Sequence, residues 1–334
     1  MRCMAGLKRL RGVAGHRVAG REVADNAGTP GQIGAPGWGL LLRRAARHVV
    51  ASRLPLLSAG IAFFAVLSIA PVLVTALSVY GAVNTPAQAL EQLSRVAEVM
   101  PAQLQPLVTD QLTNIAAVSN RVLTLRGLAG LVIAMWTATT AMASLIDALT
   151  VAYHETETRS FLHRTALALA FVLGGALLLG AVISIAGVVS RTIREAPGPV
   201  RAVAPVVTWL ALATLMAAAL AVLYRFAPDR KGARWRWVSL GAMGATALWL
   251  ATSVGLFAYV QRLGTYGTTY GSLAGVAISM FWLWISVLLV VVGAAVNGET
   301  ERQTLRDSTV GAERPMGERG AVVADTAPPF PDDP

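Results

Sequence analysis

The chain has 334 residues, a formal net charge of +10, and only 14% charged residues against 55% hydrophobic ones. Soluble domains carry roughly a quarter charged residues, so this balance excludes an ordinary soluble fold and points to a membrane-embedded helical body. Its one cysteine, Cys3, excludes an intrachain disulfide framework and a cysteine-based zinc cluster. The basic residues are dispersed among the connections between apolar runs rather than gathered on one surface, so no nucleic-acid partner is expected.

Residues 1–36 are rich in Gly, Ala and Arg, carry no apolar run of signal-peptide length, and read as a disordered tail. In 38–54, Trp38, Leu41, Leu42, Ala45 and Val49 recur at helical spacing, with Arg43, Arg44, Arg47 and Arg53 on the basic side. This suits either an amphipathic helix on an anionic membrane surface or the basic flank of a first span. Six apolar runs follow, at 57–80, 127–152, 161–190, 203–226, 238–260 and 272–297, each long enough for a hydrocarbon core. The fold class is therefore an all-α polytopic membrane protein, with its membrane domain at 37–302. Placing both ends in the cytoplasm puts 21 of the 28 basic residues inside, which predicts a multi-pass membrane protein in that orientation.

The one sizeable outside segment, 83–126, offers Thr85 as N-cap, Pro86 at the first helical position and Gln88 three residues after the cap. Leu90, Leu93, Ala97, Met100 and Leu104 then keep helical spacing, and Pro101 and Pro106 divide the segment. The prediction is a pair of amphipathic helices, 86–118, forming an outside cap between spans 1 and 2. From 303 the chain turns polar and ends in "TAPPFPDDP", which predicts a disordered tail over 303–334.

The residues that could carry chemistry are few. Asp147 stands about 9 Å from the inner end of span 2 at 1.5 Å per residue. Thr137, Thr140, Ser144 and Asp147 step by three or four, making a polar stripe, and Ser68, Pro71 and Thr75 make another on span 1. Two such stripes either line a hydrated substrate path between spans 1, 2 and 6 or bond tightly packed helices. Gly271, Gly275 and Ser279 give a small-residue face for close helix packing, Gly174, Gly175, Gly180 and Gly187 read as packing residues, and Tyr270 fits the interfacial belt. The four histidines are scattered, no nucleotide or hydrolase motif occurs, and neither cofactor, metal site nor enzymatic activity is expected. The expected partners are membrane lipids, with anionic headgroups at the cytoplasmic face, and either a second copy or an envelope protein.

Several blocks together resemble the YihY/BrkB family of bacterial inner-membrane proteins, once labelled ribonuclease BN. They are "AGIAFFAVLSIAPVLVTALSVYG", "IDALTVAYHETETRSF", "LYRFAPDRKGARWRWVSLGA", "TYGSLAGV" and "GAAVNGETER", spread over roughly 40–302. The resemblance picks out Tyr153, Glu157, Arg159, Tyr270, Asn297 and Glu301 as motif positions. It departs at Phe64, Thr150, Gly267 and Ala295, the last replacing an acidic residue usual in the family. The resemblance implies six spans, cytoplasmic ends and movement of a lipid-like envelope substrate. A non-transporting scaffold is the alternative, and a membrane nuclease the least supported reading.

Overall fold

The computed structural model describes residues 29–33, 35–83, 120–195, 197–262 and 272–326. Most of the N-terminal tail, the predicted cap 86–118, Gly267, Tyr270, Gly271 and the last eight residues lie outside the described residues. Among the described residues, one 3-10 turn, Pro30–Gln32, precedes eight α-helices: α1 Ala35–Ala51, α2 Leu54–Val83, α3 Asn120–Ala152, α4 Phe161–Glu195, α5 Gly198–Phe226, α6 Trp235–Arg262, α7 Ser272–Arg302 and α8 Val322–Asp325. Among the described residues there is no strand, only an isolated bridge between Ala233 and Thr309.

Among the described residues, six stretches are long and apolar enough to cross a membrane, one in each of α2 to α7. They turn large apolar side chains outward along much of their length; Leu177 is 76% exposed and Trp209 64%. Water would penalise such a surface heavily, and a hydrocarbon surround removes the penalty. Inside hydrocarbon every backbone amide must bond within its own helix, which is why uninterrupted helices carry these runs. Pro71 in α2 and Pro205 in α5 interrupt that ladder locally.

The tightly packed core lies at one end of the bundle, the charged end, where α1, the α3–α4 and α5–α6 connections and the C-terminal segment meet. Trp237, Tyr153, Tyr224, Ile146, Leu149 and Val291 are fully buried there. Helix α3 packs most extensively on α2, whereas α7 touches α1, α2, α3 and α6. Helix α7 is thus the hub, and α4 is the most peripheral span.

The segment from 303 is ordered through Thr326, where the sequence predicts disorder. Ala321, Val323 and Ala324 enter the core, and Arg319, 5% exposed, donates to the carbonyls of Leu305 at 2.7 Å and Ala324 at 2.8 Å. Backbone bonds from Lys231 to Gly320, from Arg234 to Ser308 and from Val310 to Gly232 stitch it to the α5–α6 connection. Composition misleads here because the segment is held by its backbone and one buried guanidinium, not by an apolar stripe.

Candidate functional site

At the charged end the turn after α3 sets the geometry. His154 has a φ of 60°, its amide bonds Val151 O, and the Glu155 amide bonds Thr150 O at 3.0 Å. These two bonds make a Schellman cap, whose left-handed position ordinarily takes glycine. A histidine there costs about 1–3 kcal/mol of local strain, which its side chain offsets through partners. His154 Nε2 lies 2.8 Å from Glu299 Oε1, and its ring stacks on that of His48 with centroids 3.7 Å apart. Arg302 donates to Glu299 at 3.1 Å.

His48 joins α1 to this group through Val151 O at 2.9 Å and Ser52 Oγ at 3.2 Å. Its Nε2–H donates to the carbonyl. Burial pulls the His48 imidazole below its ordinary value, against the Val151 bond, which raises it; His154 and Arg302 lower it further while Glu299 raises it. A histidine with a lowered folded pKa binds fewer protons folded than unfolded. Its contribution is complete above the ordinary histidine value, about 6.5, and is lost as pH falls from there through the lower value of the folded protein. Thermal midpoints in detergent are accordingly flat above neutrality and decline on acidification. The decline is shallower in His48→Gln, and an equal decline in both proteins would remove His48 as its source.

A second group ties α7 to its neighbours. Asn297, fully buried, accepts from the Gly241 amide at 2.8 Å and donates to Val238 O at 3.1 Å and to Tyr153 Oη at 3.3 Å. Arg230 and Glu301 form an ion pair at 2.8 Å with both side chains at 0% exposure, and the guanidinium lies 4.3 Å over the Tyr153 ring. Ser308 donates to the same carboxylate at 3.0 Å. Glu157 accepts two bonds from Arg159, at 2.7 and 2.8 Å, and Arg159 also donates to Ala227 O. Tyr153, Asn297 and Glu301 thus converge on one cluster, with Glu157 and Arg159 in the adjoining connection. Ala295 is fully buried in the apolar core.

The stripe on α3 is partly drawn apart. Thr137 is buried, whereas Thr140, Ser144 and Asp147 are half-buried. Each stripe hydroxyl donates to its own helix: Thr137 to Ile133 O, Thr140 to Trp136 O and Ser144 to Thr140 O. On α2, Ser68 bonds Ala65 O and Thr75 bonds Pro71 O. This back-bonding is how hydroxyls satisfy themselves within a helix. Asp147 is not alone: Arg164 of α4 holds both its oxygens at 3.0 Å. With Asp147 40% exposed, the pair contributes about 0–1 kcal/mol.

The spacing 164, 168, 171, 175, 178, 182 puts these residues on one face of α4, which at Arg164 meets Asp147 of α3. Lower on that face Ala168 is fully buried, while Leu178 higher up is 39% exposed. Between the upper part of α4, α5 and α6 opens a cavity of about 370 Å³, lined by Gly175, Leu179, Trp209, Met216, Ala219 and Trp249 among others. Its lining side chains are apolar but for Thr246, whose hydroxyl is spent on Ala242 O, and the two indole N–H groups. Gly174, Gly175, Gly180 and Gly187, which the sequence reads as packing residues, have no neighbour within 4 Å of an added Cβ. The tight glycine crossing lies instead between Gly241 and Gly293. Gly275 and Ser279 are half-buried on α7.

Sequence reasoning missed His48, Glu299 and the Asp147–Arg164 pair; only the position of Arg164 at the mouth of the next span hinted at the last. His154 pairs with Glu299, and Glu155 instead accepts the Val322 amide. Among the described residues no cluster of three His, Cys, Asp or Glu side chains could hold a metal ion.

A sequence family described as virulence factor BrkB matches residues 45–316. The chain is similar to the ribonuclease-like protein YfkH of Bacillus subtilis, at 27% identity over 72% of this chain and 87% of that protein. It is also similar to UPF0761 membrane proteins of Paraburkholderia xenovorans, at 25% identity over 77% of this chain and 58% of the relative, and of Ralstonia nicotianae, at 28% identity over 79% and 59%. The chain thus spans under two thirds of the length of those two relatives. No solved structure matches it.

Proposed function

The chain belongs to the virulence factor BrkB family of membrane proteins, and from that premise we propose that it moves an amphiphilic, lipid-like envelope substrate within the bacterial inner membrane. The observation that carries the reading is the apolar groove between α4, α5 and α6, whose size and lining suit a hydrocarbon chain entering sideways from the bilayer. Fixed polar side chains that would repel an acyl chain are missing from its wall. The substrate's polar part would follow Thr137, Thr140, Ser144 and Asp147 beside Ser68, Pro71 and Thr75. The two routes would meet at the Asp147–Arg164 pair, which joins α3 to the inner end of α4. The charged end would face the cytoplasm, in keeping with 21 of 28 basic residues on that side.

A scaffold role is the second reading, favoured by the stripe hydroxyls that are already satisfied within their own helices. Transfer of labelled phospholipid between the leaflets of proteoliposomes separates the two. Gly175 lines the groove and an added Cβ there meets nothing within 4 Å, so Gly175→Phe is the variant chosen to fill it. The expected result is transfer above the protein-free rate that Gly175→Phe reduces to that rate, with an unchanged melting midpoint, and that Asp147→Asn slows. Wild-type protein no faster than empty liposomes would leave the scaffold reading in possession.

A further inference from the structure

At the foot of the same groove, the last turn of α5 and the first residue of α6 form an unusual surface. Phe226 and Trp235 are 52% and 48% exposed, and their rings meet edge to face at 6.3 Å. The Arg225 guanidinium lies 4.4 Å from the centroid of Trp235 and 5.5 Å from that of Phe226. Two exposed aromatic rings and a cation at the end of two spans occupy the depth of lipid headgroups and ester groups.

The surrounding charges are unbalanced. Arg230 is spent on Glu301, and the side chain of Arg234 on the Thr309 carbonyl at 3.0 Å. Asp229, the nearest acid in sequence, is engaged by Thr158 and Arg159. Among the described residues Arg225, Lys231 and Arg236 have no carboxylate partner. A guanidinium lying over an aromatic face can still direct N–H donors outward, and a pair of these matches two phosphate oxygens.

The groove supplies the rest of the site. From Arg225 to Ala219, the groove's lowest residue on α5, is six residues or about 9 Å, and to Trp209 about 24 Å. Half of a hydrocarbon core is about 15 Å thick, so a chain anchored at Arg225 reaches the lower part of the groove, around Ala219 and Met216, within one leaflet.

We propose that Arg225, Trp235 and Phe226 form the headgroup subsite of an anionic phospholipid whose acyl chain lies in the α4–α5–α6 groove. This rests on the reading of that groove as a hydrocarbon-chain site and adds the class of lipid. The phosphate takes the guanidinium edge, the glycerol region covers the two rings, and Lys231 and Arg236 favour a net negative headgroup over a zwitterionic one.

The test is native mass spectrometry of the full chain released from mixed micelles holding equal phosphatidylglycerol and phosphatidylcholine. The expected result is preferential retention of phosphatidylglycerol, reduced about tenfold in Arg225→Gln, equivalent to about 1.4 kcal/mol, and retained in part by Arg225→Lys. Gly175→Phe lowers retention of both lipids together. Arg225 and Trp235 are outward-facing, and equal melting midpoints verify that the variants fold. Wild-type protein without the preference, or Arg225→Gln protein that keeps it, overturns the assignment. Protein that retains phosphatidylglycerol through Arg225 but moves no lipid in liposomes sinks the transport reading and leaves this site standing.

Discussion

Gly241→Ala strips most of the folded protein from a detergent extract, whereas Gly244→Ala, one turn further along the same helix, leaves the yield and melting midpoint unchanged. The contrast follows from what a methyl group meets at each place. At Gly241 it would overlap the Gly293 carbonyl oxygen and the Asn297 amide, while at Gly244 it meets nothing within 4 Å. The reverse substitution, Gly293→Ala, drives a methyl to 2.9 Å from the Ala245 Cβ and from the Gly241 carbonyl oxygen, and into the Tyr224 hydroxyl.

None of these obstacles is the free end of a flexible side chain. Tyr224 donates to Val290 O at 2.7 Å, and Asn297 is fixed by three bonds. Relief therefore requires α6 and α7 to separate, which forfeits the Gly241 amide bond and contacts along the crossing. Overpacking costs about 1–3 kcal/mol, and leaving a buried polar group unsatisfied adds about 1–3 kcal/mol. Together these take a large part of the 5–15 kcal/mol that holds a typical protein folded. A Gly241→Ala protein that melts with the wild type would mean the two backbones do not meet at this crossing.

That crossing illustrates what the sequence made legible and what it did not. The six long apolar runs need no partner to be recognised, because each must satisfy its own backbone within the hydrocarbon. The predicted spans accordingly fall within α2 to α7, with only ragged ends. Contacts between spans are another matter. Gly271, Gly275 and Ser279 have the spacing of a packing face, but spacing shows only that a backbone could come close. Among the described residues, Gly241 and Gly293 are a pair at which another helix's backbone does come close. The charged cluster is similarly hidden: His154 and Glu299 are 145 residues apart, Arg230 and Glu301 are 71. Asn297 and Glu301 stood out through the family resemblance, and their partners became visible only once α7 was placed at the centre.

Glu301→Ala has the other large expected effect, a loss of about 3–5 kcal/mol, because it leaves the Arg230 guanidinium buried without a counter-charge. Burial alone would pull that guanidinium below its ordinary value, and the Glu301 carboxylate, with Tyr153, more than offsets this, so the group stays charged in the folded protein. Arg230 Nε is already buried without a partner, so the carboxylate is the main compensation available. The Ser308 hydroxyl loses its acceptor in the same variant, which loosens the C-terminal segment where it meets α7. A paired replacement separates the charge from the shape. Arg230→Met with Glu301→Leu removes both ions and keeps most of the volume, so it should recover the greater part of the loss. Chemical denaturation or steric trapping of the wild type, Arg230→Met, Glu301→Leu and the double variant in one detergent gives the coupling energy directly. Additive losses, with the double variant as weak as the sum of the singles, would assign the cost to lost packing rather than to an unpaired buried charge. Recovery would mean that this end of the bundle requires mutual neutralisation of the pair, not either charge in itself.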